Sequence, residues 1–290
     1  MKQFLPILIF LFACQKSQTQ TELPKEYNYE PTPQAIQLSG PRITEASGIT
    51  YSSVQEGSFW VNEDSGNPPL LYLVHKDGTV KDSLLLDGAT NRDWEDITSG
   101  AGPQDGKNYI YVADIGDNDA KYSEWYIYRF EEPPAGVKQL KLFEKIAFVY
   151  EDGARDAEAI VINQATKDIY VISKRDTRSR VYKIAYPQST TEVNTATFLF
   201  DFGYSGVVAA TTSVSGEELL VKTYTTVYHY TIGSHTSLED SLKSGTPKTL
   251  KYQLEPQGEA ISFSFSGDGF YTLSEEAMGI IPKMYFYRKK

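Results

Sequence analysis

Apolar and polar residues alternate along this chain in short runs, each closed by Gly, Asn, Asp, Ser or Pro. Alternation with period two between turn residues predicts β-strands rather than helices. A first unit reads as strands at 48–52, 58–62, 70–75 and 83–86, with Lys76-Asp77-Gly78 as one of its turns. A second reads 97–99, 109–114, 125–130 and 145–150, and a third 159–162, 168–173, 180–185 and 197–202. The fourth has 209–214, 218–224 and 227–232, then a polar segment and a strand at 249–254. The fifth holds only 260–265, 269–274 and 284–288, while a lone strand at 34–38 precedes the first unit.

Every unit opens on one phrase. It stands at Glu45-Ala46-Ser47-Gly48-Ile49, Asp93-Trp94-Glu95-Asp96-Ile97, Asp156-Ala157-Glu158-Ala159-Ile160 and Gln257-Gly258-Glu259-Ala260-Ile261. A degenerate copy stands at Val207-Val208-Ala209-Ala210-Thr211. A strand-rich repeat of about 50 residues is the mark of a β-propeller. The count predicts an all-β, five-bladed propeller over 34–290, with the N-terminal strand completing the last blade and removing an open edge. A six-bladed ring is the alternative, with the longer second unit (its loop at 116–123) as the place for the extra blade.

The N-terminus belongs to no unit. Met1-Lys2 is followed by an apolar run from Phe4 to Phe12 and by Leu11-Phe12-Ala13-Cys14. That run is too short to cross a bilayer and fits a signal segment over 1–13 that ends at a lipoprotein box. Cys14, the only cysteine, is then the lipid-modified residue, and polar, proline-punctuated 14–33 is a flexible tether. With that thiol acylated there is no disulfide and no thiolate chemistry. The expected location is the bacterial envelope, on the outer membrane, as a monomer held through its lipid alone. The formal charge of −10 argues against nucleic acid as a partner and favours cations, or ligands recruited through them.

In a propeller the phrases of all units face one channel. Two positions before the phrase end stand Ser47, Glu95, Glu158, Ala209 and Glu259; four before it stand Glu45, Asp93, Asp156, Val207 and Gln257. Second strands end in Asn62-Glu63-Asp64, Asp114-Ile115-Gly116-Asp117, Ser173-Lys174-Arg175, Lys222-Thr223-Tyr224 and Ser274-Glu275-Glu276. Antiparallel pairing returns these ends to the first-strand starts, so acids from both gather at one mouth. Gathered carboxylates raise one another's pKa or bind a cation. Oxygen ligands suit a hard ion, Ca²⁺ before Mg²⁺. The candidate ligands are Glu45, Asp93, Glu95, Asp114, Asp117, Asp156, Glu158 and Glu259, with structural turn and capping acids as the competing reading. Lys174, Arg175 and Lys222 are the candidate anion-binding residues; an ion pair with Asp176 is the plainer reading of the first two. His75, His229 and His235 show no ligand spacing, and no G-x-S-x-G nucleophile turn is present.

The Asp93–Ile97 phrase followed by Tyr111-Val112-Ala113-Asp114-Ile115-Gly116-Asp117-Asn118 resembles the phytase-like β-propeller group. That group holds the β-propeller phytases, the "esterase-like activity of phytase" family and the SdiA-regulated propeller proteins of bacterial envelopes. The resemblance implies a calcium-lined channel, with calcium at Asp93, Glu95, Asp114 and Asp117. It also implies metal-assisted hydrolysis of a phosphoester or related ester. The fourth unit lacks the acids and the chain is short for a six-bladed phytase. The alternative is a non-catalytic propeller that binds an envelope protein or a glycan.

Overall fold

The computed structural model describes residues 26–233 and 236–290. The signal segment, Cys14 and His235 lie outside the described residues. Strand β1 (Gln34–Gln37) comes first, then β2 (Ala46–Tyr51), β3 (Ser58–Glu63), β4 (Leu70–His75) and β5 (Val80–Leu86). The second run is β6 (Trp94–Ala101), β7 (Asn108–Asp114), β8 (Trp125–Glu131), a short β9 (Gln139–Leu140) and β10 (Glu144–Tyr150). The third is β11 (Ala157–Ile162), β12 (Ile169–Ser173), β13 (Arg180–Ile184) and β14 (Asn194–Asp201). The fourth is β15 (Val207–Thr212), β16 (Glu218–Thr223), β17 (Val227–Thr231), helix α1 (Leu238–Ser244) and β18 (Lys248–Leu250). The last is β19 (Ala260–Phe263), β20 (Gly269–Leu273) and β21 (Lys283–Arg288).

Each run is an antiparallel meander. The second and third are joined into one eight-stranded sheet where β10 pairs with β14 in parallel. The first strands touch in cyclic order, β2 to β6 to β11 to β15 to β19 and back to β2. The fold is therefore a β-propeller. These first strands are buried at every position of β2, β11 and β15, whereas outer strands such as β5 and β14 alternate. A strand covered on both faces needs no polar face. Apolar layers lie between neighbouring sheets, as where Trp60, Leu73 and Leu84 meet Trp94, Val112 and Tyr128. Side chains also tie one first strand to the next. Asp96 Oδ2 accepts the Ile160 N–H at 2.9 Å, and Ser262 Oγ accepts that of Tyr51 at 3.1 Å.

β1 lies antiparallel on β21, with Ile36 opposite Met284, so the start of the chain completes its last sheet. The chain already packs before it. The Glu30 N–H donates to the Arg288 carbonyl, and the Tyr29 hydroxyl donates to Glu218 at 2.5 Å. The described part of the expected tether thus lies along β21. The extra length of the second unit goes partly into an excursion that lays β9 beside β5, where Gln139 faces Leu85.

Four first strands carry a β-bulge at the same place. The unpaired residue is Ser47 between Ala46 and Gly48, Glu95 between Trp94 and Asp96, and Glu158 between Ala157 and Ala159. In the fourth it is Val208, between Val207 and Ala209. The spacing of the phrases points to Ala209; the register puts Val208 there, one residue earlier. The repeat is held by backbone pairing, which apolar residues alone do not mark.

Candidate metal centre at the channel mouth

A bulge turns its extra side chain out of the pleat. Glu95 and Glu158 occupy two of the bulges, and Asp93 and Asp156 stand two residues before them. One bond recurs beside this position. The amide that follows the second strand donates to the carbonyl at the start of the phrase: Asp64 to Glu45 at 2.9 Å, Lys174 to Asp156 at 2.9 Å, Glu275 to Gln257 at 3.1 Å. Gly116 donates to the Asp93 carbonyl at 3.2 Å in the same way. Second-strand ends and first-strand starts therefore meet at one mouth.

Two carboxylate groups result. Asp64, Asp93 and Glu95 form one; Glu95, Asp156 and Glu158 form the other. In each, one oxygen per residue lies within 4.8 Å of the others. Glu95 belongs to both. Glu158 is 3% exposed, and its Oε2 has no hydrogen-bond partner. Gly116 makes the close approach possible. A Cβ there would lie 2.3 Å from Glu95 Oε1 and 2.5 Å from Asp93 Oδ2. Gly116→Ala is expected to destabilise the protein by about 2 kcal/mol through overpacking and to weaken any cation bound by Asp93 and Glu95. Melting and calcium titration of that variant check both effects.

The other sequence candidates have separate places. Asp114 is fully buried and accepts the Asp93 N–H at 2.9 Å. Asp117 accepts the N–H groups of Lys121 at 2.8 Å and Tyr122 at 3.0 Å, while its own N–H donates to Asp156 Oδ1 at 2.9 Å. Neither belongs to the two carboxylate groups, though each is hydrogen-bonded to a member of them, and Asp114 Oδ2 is also buried without a hydrogen-bond partner. Glu45 is exposed and accepts from Asn67 at 2.6 Å. Glu259 accepts from the Tyr224 hydroxyl and faces Lys174.

Lys174 Nζ touches Glu158 Oε1 and lies 3.0 Å from Tyr224 Oη and 3.5 Å from Glu259 Oε1. It fills the side of the mouth where the fourth unit brings no acid. Burial acts to lower its pKa, but Glu158 and Glu259 hold it above the usual lysine range. Arg175 Nε pairs with Asp156 Oδ2 at 2.5 Å, and its guanidinium also reaches Asn118. Lys222 is fully enclosed and contacts the Gly258 carbonyl. Burial brings its pKa down to about 8, against the pull of Glu255 and Glu259. It supports the 255–259 connector from beneath rather than facing the open mouth.

Asp64 and Glu275 were missed as site residues. Both appear among the second-strand ends in the sequence, and only their distance to the neighbouring units sets them apart. Burial, then Asp93, Glu259 and Glu45, push Asp64 up to about 6, against the Ser65 N–H. Burial, then Glu259 and Asp64, push Glu275 up to about 8. Burial, then Glu158 and Asp64, hold Glu95 well above the carboxylate range. Burial raises Glu158 too, with Lys174 opposing and Glu259 adding. Such shifts come first from burial and then from crowded negative charge. The donors are all oxygens, which fits a hard divalent cation. His75 and His229 lie apart, 3.0 Å from Asp77 and Glu218 respectively.

No family model and no curated protein matches this sequence. Among solved structures the fold is similar to a gluconolactonase, XC5397 from Xanthomonas campestris. That likeness has TM-score 0.50 and 10% identity, and covers 86% of this chain and 87% of the other. The Dos1 propeller also matches, with TM-score 0.40 and 10% identity over 84% of this chain and 68% of the other. The class defined by these strands is the β-propeller, and at this identity the likeness speaks for the fold alone.

Proposed function

We propose that this chain is a lipid-anchored envelope protein with a five-bladed, phytase-like propeller whose mouth binds Ca²⁺ and a small anionic ligand. Five antiparallel meanders with their first strands in a ring support the blade count. One observation carries the metal reading: buried Glu158, which groups with Glu95 and Asp156, keeps one oxygen without a hydrogen-bond partner. Asp64, Asp93, Glu95, Asp156 and Glu158 would hold the ion, with Glu259 and Glu45 adding to the field. A bound divalent cation would supply charge neutralisation and polarise an oxygen of the ligand. Lys174, kept protonated by Glu158 and Glu259, would orient the ligand's anionic group from the other side, and Arg175 would guide its entry. The reaction this arrangement suits is hydrolysis of a phosphoester or related ester. The lipid on Cys14 would hold the domain at the outer membrane through the 14–33 segment, whose residues from Tyr29 pack along the last sheet.

Calcium titration by calorimetry tests the reading, with melting in calcium and in chelator. The full chain carries Cys14→Ser so that no acyl group intervenes. Binding in the micromolar range or tighter, roughly that of calcium sensors, and a higher melting temperature in calcium are expected. No heat and no shift would leave the acids structural. A panel of phosphoesters and esters then tests catalysis. Turnover lost both in chelator and in Glu158→Ala supports the hydrolase, and calcium binding without turnover supports a scaffold for an envelope protein or glycan.

A further inference from the structure

We infer that the ligand of the mouth is an amphiphile, with an anionic group at the cation site and a hydrocarbon lying on the Met278–Ile281 loop. This rests on the anion-binding reading above and names the class of ligand within it. Nine large apolar side chains are well exposed among the described residues. Leu142, Val193 and Val214 stand in separate loops, and Val54 and Phe265 line one cleft at the end of the fold away from the mouth. Three of the other four, Met278, Ile280 and Ile281, stand together in the loop that leaves the mouth end of β20. Met278 is 96% exposed, Ile280 51% and Ile281 58%, in the loop from β20 to β21; Leu254 is 60% exposed in the connector before β19. These two segments are joined by the bond from the Glu275 N–H to the Gln257 carbonyl. Isolated apolar residues on a surface are ordinary; a concentration beside a polar site marks a binding surface.

The loop grows out of the mouth wall. Its first residue, Glu275, faces Glu259 and Asp64. The next, Glu276, donates its N–H to the Thr44 carbonyl at 2.7 Å and pairs with Arg42, with Nε 3.0 Å from Oε2. The base is thus fastened to the first unit and to its own. At the tip the Ile280 N–H donates to the Ala277 carbonyl at 2.9 Å, with φ of 54° at Met278 and 74° at Gly279. Glycine adopts that left-handed backbone freely and methionine does not. The turn is closed by that hydrogen bond, and it holds Met278, the most exposed apolar residue, at its tip. Methionine suits a surface that adapts to varied hydrocarbon.

Charge selects the occupant. An anionic bilayer laid on this loop would press its headgroups against the surrounding acids. A single molecule instead places one anionic group on the loaded cation and Lys174, and its chain on the loop. The test uses the full Cys14→Ser chain, saturated with calcium, and the variant Met278→Ser/Ile280→Ser/Ile281→Ser. Methyl phosphate and decyl phosphate, the latter below its micelle concentration, are titrated by calorimetry. Decyl phosphate should bind at least about 30-fold tighter, since each buried methylene contributes roughly fourfold. The triple variant should bind methyl phosphate unchanged and lose about tenfold or more of the chain-length gain. Equal affinities, or a gain that survives in the variant, overturn the inference. If calcium binds and neither phosphate does, the anion site itself falls and the inference with it. Flotation with neutral vesicles that the variant lacks would assign the loop to a bilayer. Self-association that the variant lacks would assign it to a second copy. Either result without a chain-length gain overturns the inference.

Discussion

Glu95→Gln is expected to lower calcium affinity by about 100-fold or more, beyond the loss seen when a partner of a metal ligand is removed. It should at the same time raise the melting temperature of the calcium-free protein. Glu95 is the one residue in both carboxylate groups, so its loss leaves each with two acids. Without a cation its charge is opposed by burial and by Glu158, Asp64 and Asp93. The amide keeps the shape and removes the charge. A gain of about 3 °C at pH 8 is reasonable for a relief of roughly 1 kcal/mol in a domain this size. Calcium titration and paired melts read both effects. Glu56→Gln, at an exposed site on the opposite face, should move neither. A Glu95→Gln protein that melts lower without calcium would show that the mouth is not self-repelling, and a variant that binds calcium normally would remove Glu95 from the ligand set.

The calcium-free protein is expected to melt higher at pH 5.5 than at pH 8, by roughly 5 °C. The sign follows from linkage. Asp64 is raised to about 6 and Glu275 to about 8, so the folded state holds protons that the unfolded chain releases near pH 4. Their contribution is fully present below the unfolded values and is lost as pH rises through 6 and then 8. Saturating calcium should flatten or invert this trend, because the ion needs the ionised oxygens and holds them together. Acids held below their usual range, such as Asp105 beside Lys167, titrate under this window and leave it unaffected. Glu275→Gln should remove the upper part of the slope. Melts across pH with and without calcium check the prediction; a calcium-free protein that loses stability steadily from pH 8 to 5.5 would contradict it.

The meander pattern was legible because outer strands must alternate and the turns between them need Gly, Asn or Asp. Strands at 70–75, 109–114 and 180–185 were read within a residue of β4, β7 and β13. Four of the five first strands start two or three residues before the sequence reading, as β6 does against 97–99; in β6 and β11 an acid at the strand start looks like a turn. The bulges let those acids enter the strand. Helix α1 was passed over as a polar segment. Its signals were present: Ser237 accepts the Asp240 N–H, Glu239 and Asp240 fill the first turn, and Leu238 and Leu242 are buried. Seven residues are too few for a periodicity to stand out.

By itself the sequence determined the repeat, the strand-rich units and the gathering of acids near the phrase starts, because these follow from local alternation and from spacing along the chain. It also held every residue of the mouth. Only the tertiary structure decided which acids meet. It set Val208 in the fourth bulge, brought Asp64 to Asp93 and Glu95, and put Lys174 across to Glu259. It enclosed Lys222 beneath the 255–259 connector and left Asp114 and Asp117 outside the two carboxylate groups. The reason is distance: a pKa, an ion pair or a ligand oxygen depends on a few ångströms between units that lie scores of residues apart, and only the closing of the ring sets those ångströms.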